Sequence, residues 1–520
     1  MPVDHALVRA LPDTVRSRDL DDWVNWPRNI RQPIDAYFDI ANESRAPSLS
    51  GYRKTARAIQ TLLRLAVNRG RAVRPFGGGW SFSDIAVVPD WMVDTSYLNW
   101  IFHVKPEDRT DMYATDGQEL FLVQCGTKIS QVNRVIERKF RRSFNTTGAS
   151  NGQSIVGACA TGTHGSALGQ GGIQNHVVGI HVITGPHNSV WLERASDPAT
   201  VDDFAARLGA DLVRDDAVFN AVLVSLGGMG FIASMMIKTV PIFMLERHRD
   251  WLPFDDAFKT VLDTLDFTGV DLPGQTMGQQ PYFFLPVINP FDTDEVSVAV
   301  QYRRDFDPAH PINYRLDLRR GPGYELLGAI GGLTNAVPRT TPKLVTALTR
   351  KQLRPQPESG KSPKTGTWGE MFDFTTPRTN SLGAGIGVAL GQVYRTLELL
   401  IDEQRSGTPA PVVFACRYVW PTGATLEFTR FDPTCVIDID GVATRYTDAF
   451  LTRAWARLDR EGIDYTQHWG KIGNYDPVTV RRQYGDARVD AWRVTRAALL
   501  DTSEKKALFA STFLERAGLA

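Results

Sequence analysis

RPFGGGWSFSD, residues 74–84, carries the most informative pattern in the chain. Gly77, Gly78 and Gly79 remove three Cβ atoms in a row where a short apolar strand would end. Bare backbone of this kind lets a ligand approach closely and leaves N–H groups facing outward. Ser81 and Ser83 add hydroxyl donors, and no residue from 77 to 83 is basic. Donors without positive side chains suit an anion such as a pyrophosphate. A tight turn leading into a helix cap reads the same way, so the stretch needs support from elsewhere.

That support comes from Gly157-Ala158-Cys159-Ala160-Thr161-Gly162-Thr163-His164-Gly165-Ser166, where backbone and hydroxyl donors again dominate. Two such segments, separated by strands and one helix, point to one extended ligand gripped twice. Around them the chain alternates. Residues 52–69 place Ala56, Ile59, Leu62, Leu63 and Ala66 at three- and four-residue spacing, which predicts a helix ended by Gly70. Strands are expected at 71–76, 90–98 and 119–125, a helix at 130–138, and a hairpin at 178–184 and 189–193. Residues 143–185 are too rich in small residues for a packed helix. Residues 201–209 read as helical, and 219–240 as an apolar helix, a Gly-rich turn and a strand.

The 520 residues are 42% hydrophobic and 22% charged, with 44 Gly and 30 Pro, a composition that excludes a low-complexity chain. Length alone suggests two to four domains. Basic and acidic residues balance at 58 each, which argues against nucleic-acid binding by bulk charge. The four cysteines, Cys125, Cys159, Cys416 and Cys435, form no CxxC and no disulfide framework. The charged N-terminus shows no secretory signal, and no run is long enough to span a membrane, so a soluble, cytoplasmic protein is expected.

After residue 240 the character changes, with more aromatic residues and prolines. Residues 295–303, EVSVAVQYR, alternate as a half-buried strand. Strands follow at 411–420 and 434–440 and a helix at 446–460, while the Pro- and Gly-rich stretch 355–380 is expected to include a loop. Gly383-Ala384-Gly385-Ile386-Gly387 begins like a dinucleotide fingerprint but follows no strand, so a close-packed small-residue helix is expected. Trp251, Tyr282, Phe283, Phe284, Trp368, Phe372 and Phe374 could line an apolar substrate site or form ordinary core. The fold class is α+β in two blocks.

Phe76-Gly77-Gly78-Gly79-Trp80-Ser81-Phe82-Ser83-Asp84, followed by Val93-Asp94-Thr95-Ser96-Tyr97-Leu98-Asn99, resembles the flavin-binding core of the vanillyl-alcohol-oxidase-type (PCMH-type) flavoproteins. Thr161-Gly162-Thr163-His164-Gly165-Ser166 is similar to a segment of their sugar-alcohol and aldonolactone oxidases. Gln467-His468-Trp469-Gly470-Lys471 resembles that subfamily's His-Trp-x-Lys motif, and residues 219–233, with Gly230 and Ile232, its late FAD-domain strand. The resemblance implies a two-domain fold: an FAD-binding domain at 1–240, an antiparallel-sheet cap at 241–465, and a segment at 466–520 returning to the first domain. It implies FAD held by residues 76–83, 161–166, Gly230 and Ile232. It also implies two-electron oxidation of a small molecule at a C–OH or similar bond, with Arg417, His468 and Lys471 at the substrate.

Two departures matter. Trp80 stands where many members carry a flavin-linked His, and Ser150-Asn151-Gly152-Gln153-Ser154 lacks the Cys that some relatives also attach, so non-covalent FAD is expected. Ala415-Cys416-Arg417 keeps the Arg of the subfamily's Glu-x-Arg and loses its Glu. Arg417 in an apolar strand is either a ligand for charge or one half of an ion pair with a carboxylate not evident from the sequence. A neutral His468 suits a proton acceptor and Lys471 an oxygen-polarising cation, or His468 caps a turn and Lys471 is solvated. His164, His176, His181 and His187 cluster in sequence without metal-ligand spacing, and no metal is expected. Partners are a small-molecule substrate and O2 or another acceptor, without nucleic acid or membrane, and a homodimer stays open. The alternatives are an FAD-binding protein without redox turnover and an interaction protein without cofactor.

Overall fold

The computed structural model of the chain describes residues 5–114, 119–148, 151–276, 278–314, 324–355, 364–373 and 381–520. Ser150, Phe374 and most of the 355–380 loop lie outside them. Inside that loop, Lys364–Thr367 is a strand and Trp368–Phe372 a helix. Thr367 and Glu370 close a capping box there.

The helix Leu49–Val67 begins where Ser48 Oγ accepts the Gly51 N–H at 3.1 Å. Ile59, Leu62, Leu63 and Ala66 pack with Phe38, Val73 and Val93, and each large aliphatic side chain so buried contributes roughly 1.5–3 kcal/mol. Those partners belong to a four-stranded sheet in the order Val15–Arg18, Ala36–Ala41, Trp91–Tyr97, Val73–Phe76. Val73–Phe76 runs parallel to Trp91–Tyr97, so the glycine loop leaves from the C-terminal end of a parallel strand.

A second sheet is ordered Asp211–Arg214, Ser189–Glu193, Val177–Ile183, Phe231–Pro241, Glu119–Gln124, Ile101–His103. The expected hairpin is present, with Ile180 opposite Leu192. Ile155–Ala160 forms a short buried helix capped by Ser154, contrary to the expectation for that stretch. Small side chains are what let it lie flush against its neighbours.

The third sheet has eight strands among the described residues and starts directly after Ile242. Phe243–Pro253, Asp292–Asp305 and Phe283–Asn289 pair antiparallel, followed by Val412–Val419, Thr434–Val442, Ser381–Ala389 and Tyr465–Gln467. Val296 to Tyr302 are buried on both faces, so the strand read as half-buried is a covered one. Ser381–Ala389 is also a strand, which overturns the small-residue helix. The period there is two: Leu382, Ala384, Ile386 and Val388 enter one core, and Gly383, Gly385 and Gly387 form the other face. A Cβ on Gly383 would stand 2.8 Å from the Phe82 ring, and one on Gly385 3.1 Å from Asp438 Oδ1. The glycines let the glycine loop and the 468–473 segment seat directly on the sheet.

After the sheet the chain goes back. Trp492, Phe513 and Leu514 share a core with Phe219 and Met229, while Leu508 and Phe509 pack on the first helix's core. The aromatic residues of the middle region are core as well. Phe284 lies in the sheet's core, Phe283, Trp368 and Phe372 in the larger one, and Arg350 covers Trp251. None of the six described lines the main cavity.

Glu137 ties the first region to the third sheet's edge. Its buried carboxylate accepts from the Gly369 N–H at 2.7 Å, from Thr367 Oγ at 2.6 Å and from the Tyr314 hydroxyl. Burial outweighs these donors and pushes the Glu137 carboxyl up to about 7. The folded chain therefore holds this proton more tightly than the unfolded one, whose carboxyl titrates near ~4.3. Between those values stability falls as pH rises. Glu137→Gln is expected to flatten that slope, read as denaturant midpoints across the window.

Candidate functional site

The strand Val73–Phe76 delivers Gly77–Phe82 to the mouth of a cavity of about 290 Å³. Gly79 sits at φ +62°, a left-handed turn that glycine takes without strain. Among the described residues, the amide N–H groups of Gly78, Gly79, Trp80 and Ser81 have no hydrogen-bond partner. Four successive unpaired donors in a loop lining a cavity form an anion cradle. The loop is braced from behind by the Trp-rich N-terminal piece. Trp26 stacks on Trp80 at 4.9 Å and donates its N–H to Gly79 O at 2.7 Å, and Asn25 Nδ2 donates to Ser81 O. The aromatic density of residues 22–26 was the visible signal for that brace, and its role emerges only from the packing.

Phe76, Gly77, Gly78, Gly79, Trp80, Ser81, Phe82, Thr161, Thr163, His164, Gly230 and Ile232 all line the cavity, as do Arg417, His468 and Lys471. Four expected ligand residues do not. Ser83 Oγ donates to Trp469 O at 2.6 Å. Gly162, at φ +72°, turns the chain beneath Phe428. Gly165 presses against another segment, where a Cβ would lie 2.5 Å from Thr146 Oγ1. Ser166 donates to Phe284 O and ties the segment to the third sheet. In these places glycine and serine serve chain-to-chain contact, which composition does not distinguish from ligand contact.

The lining also holds residues the sequence did not single out, among them Arg74, Cys125, Ser154, Gly157, Ser225 and Gly227. Arg74 is a buried cation whose Nη1 donates to Gly227 O at 2.5 Å, and burial pulls it down to about 10. A donor set free of positive charge is therefore corrected: one guanidinium stands beside the cradle. Cys125 is the only one of the four cysteines on the cavity wall, its thiol pushed up to about 12 by burial. Cys159 is fully enclosed in the core.

The same cavity is lined by a charged cluster. Arg417 has a carboxylate partner: its Nε is 3.1 Å from Oδ2 of fully buried Asp438. Lys471 Nζ lies 2.5 Å from Asp438 Oδ1 and 3.4 Å from Asp440 Oδ1, so it is paired rather than solvated. Burial alone would raise the Asp438 carboxyl, but Lys471 and Arg417 outweigh it and hold it well below the usual range. Burial likewise works against the Lys471 cation, and Asp438 and Asp440 prevail to raise it. Asp438 is the cross-strand partner of Ala415. The carboxylate missing at 415 thus stands directly opposite, one strand away. An Asp between Ile437 and Ile439 in an apolar strand was the readable signal.

His164 and His468 complete this cluster. Their ring centroids are 5.6 Å apart, and both pack on Phe428, His468 stacked at 4.4 Å and His164 edge-on at 5.4 Å. The Gly470 N–H donates to His468 Nδ1 at 3.0 Å, so His468 does cap the turn while facing the cavity. The other clustered histidines go elsewhere: His181 bonds the Tyr52 hydroxyl in the core, His176 packs on Phe144, and His187 is exposed in a turn.

Residues 52–191 match the family described as FAD binding domain. An L-gulono-1,4-lactone dehydrogenase of Mycobacterium tuberculosis is 22% identical over 470 residues, 89% of this chain and 92% of that protein. A D-arabinono-1,4-lactone oxidase of Eremothecium gossypii is 25% identical over 227 residues. The match to that oxidase covers 43% of this chain and 38% of its own length, and the Kluyveromyces lactis enzyme of the same name is matched over 33% of its length. Among solved structures, a solvent-stable cholesterol oxidase superposes with a TM-score of 0.69 at 15% identity, covering 98% of this chain and 99% of that one. The cholesterol oxidase of Brevibacterium sterolicum gives 0.68 at 15% identity, over 98% of each chain. The fold is therefore the PCMH-type FAD-binding fold, and the cradle of unpaired amides fits the diphosphate of FAD.

Proposed function

From an FAD-binding domain at residues 52–191 within a PCMH-type fold, we propose that this chain is an FAD-dependent oxidoreductase that oxidises a CH–OH group of a small, polar substrate. The observation that carries this reading is a single cavity lined both by an anion cradle and by Arg417, Lys471 and two histidines, with Asp438 pairing the two cations. When bound, FAD supplies the two-electron acceptor. The protein's residues do the rest. Gly78–Ser81 would hold the diphosphate through backbone N–H groups. Arg417 and Lys471 offer fixed positive charge to a substrate oxygen or to negative charge developing beside it. Asp438 fixes both cations in place. O2 or another acceptor completes turnover.

The flavin is held without a covalent bond in this reading. Trp80 occupies its position as a ring stacked on Trp26, and Cys159 is sealed in the core with its thiol pushed up by burial. Acid precipitation of the yellow holoprotein is expected to leave the flavin in the supernatant, and a yellow pellet would contradict non-covalent binding. Polar groups around the substrate favour a hydroxylated lactone over a sterol. Under anaerobic conditions, L-gulono-1,4-lactone or D-arabinono-1,4-lactone is expected to bleach the flavin's visible band faster than cholesterol does. A yellow protein that no donor bleaches would favour the redox-silent alternative.

A further inference from the structure

The two cavity histidines are locked in opposite tautomers by backbone groups. His164 Nδ1 is 3.1 Å from Gly165 O, and a carbonyl oxygen only accepts, so that nitrogen carries the proton. His468 Nδ1 accepts from the Gly470 N–H at 3.0 Å, and an amide only donates, so that nitrogen is bare. In the neutral rings, His164 therefore has a lone pair on Nε2, and His468 has an N–H on Nε2. Among the described residues neither Nε2 has a hydrogen-bond partner, and both rings line the cavity.

The backbone groups that set these tautomers are themselves pinned. The Gly470 N–H shares a peptide plane with the Trp469 carbonyl, which accepts from Ser83 Oγ at 2.6 Å. Trp469 is anchored in turn by its Nε1–H on Leu426 O at 2.7 Å. On the other side, Gly165 is held against Thr146 and Thr147. Ser83 and Gly165, both expected at the cofactor, instead fix what the two histidines present. Burial keeps both rings neutral: it pulls His164 down to about 4, with Arg417 and Lys471 adding to the effect, and puts His468 well below its ordinary value.

Resting on the oxidoreductase reading, we propose that His164 Nε2 is the proton acceptor for the substrate hydroxyl and that His468 Nε2–H is a hydrogen-bond donor to the same oxygen. A hydroxyl is the group that answers both, since it donates and accepts at one atom. In the oxidation the carbinol carbon gives a hydride to FAD, and the O–H proton passes to His164 Nε2. The C–O bond becomes C=O, which accepts from His468 and no longer donates to His164. The reassignment moves proton acceptance away from His468, where the sequence placed it, because its neutral tautomer has no lone pair to offer at Nε2.

Nitrogen-15 spectra of the histidine-labelled holoprotein read the tautomers directly. His164 is expected to show a protonated Nδ1 and a bare Nε2, and His468 the reverse. Equal or exchanged tautomers overturn the proposal, whether or not a donor is in hand. With the lactone that bleaches the flavin, His164→Gln keeps an acceptor oxygen without basicity and is expected to slow flavin reduction by about 10²–10⁴-fold. His468→Gln retains an N–H donor and is expected to slow it about tenfold or less, the scale of one hydrogen bond. Both variants are expected to keep stoichiometric FAD. A larger loss in His468→Gln than in His164→Gln overturns the proposal. Failure of every donor to bleach the unsubstituted protein would instead count against the oxidoreductase reading, with the tautomers still read by the spectra.

Discussion

Asp438→Asn is expected to destabilise the folded chain by about 3–5 kcal/mol, the scale for removing one partner of a buried ion pair. Asp438 is fully buried with Lys471 at 2.5 Å and Arg417 at 3.1 Å, so the amide would leave two cations facing each other without their shared counter-charge. Asp440 is a poor substitute, since it lies 3.4 Å from Lys471 and its side chain is 47% exposed. The loss has a definite pH signature. The folded Asp438 carboxyl lies below its unfolded value, so its contribution is present above that value, about 3.9. It fades as pH falls through the folded value. Lys471, raised when folded, contributes below its unfolded value and loses that contribution as pH rises through the folded one. Denaturant titrations should show the full gap between wild type and Asp438→Asn at neutral pH and a narrowing gap in strong acid. A gap independent of pH would mean that the pairing energy is not electrostatic. Turnover should fall too, because Arg417 and Lys471 would lose the carboxylate that aims them. Asp440→Asn serves as the comparison and should change stability by no more than about 1 kcal/mol.

Gly77→Val is expected to abolish stable FAD binding. A Cβ at 77 would stand 1.9 Å from Ser154 Oγ and 2.5 Å from Ser154 Cβ. Ser154 also caps the helix Ile155–Ala160 and lines the cavity, so displacing it disturbs both halves of the grip. Overpacking of this kind costs about 1–3 kcal/mol in stability. The larger effect falls on the cofactor, because the loop must move off its brace at Trp26. FAD retained through gel filtration measures it. The double variant Gly77→Ala with Ser154→Gly removes the obstructing atoms and should recover FAD relative to Gly77→Ala alone, a coupling read as a double-mutant cycle. No recovery would place the defect in backbone freedom rather than in the contact with Ser154.

Several features were legible in the sequence because they are local. Three glycines after an apolar strand, helical spacing in residues 52–69 and the hairpin around residue 186 need only the chain's own geometry. The resemblance of ordered motifs then supplied the cofactor, and the cavity brings most of the quoted residues together. Gly383–Gly387 resembles a small-residue helix in sequence because a glycine every second residue leaves one face of the strand blank. The alternation of Leu382, Ala384, Ile386 and Val388 was present but outweighed by the count of small residues.

Residue order alone marks where backbone lies bare and which side chains can carry charge or a proton. What those groups meet depends on how distant segments pack. Asp438 reaches Arg417 and Lys471 because Thr434–Val442 pairs with Val412–Val419 in one register and lies beside the loop that carries Lys471. The choice between acceptor and donor at His164 and His468 falls to a carbonyl and an amide in adjoining turns. Hydrogen bonds and buried ion pairs act over about 3 Å, and segments distant along the chain come that close only when strand register and packing place them there.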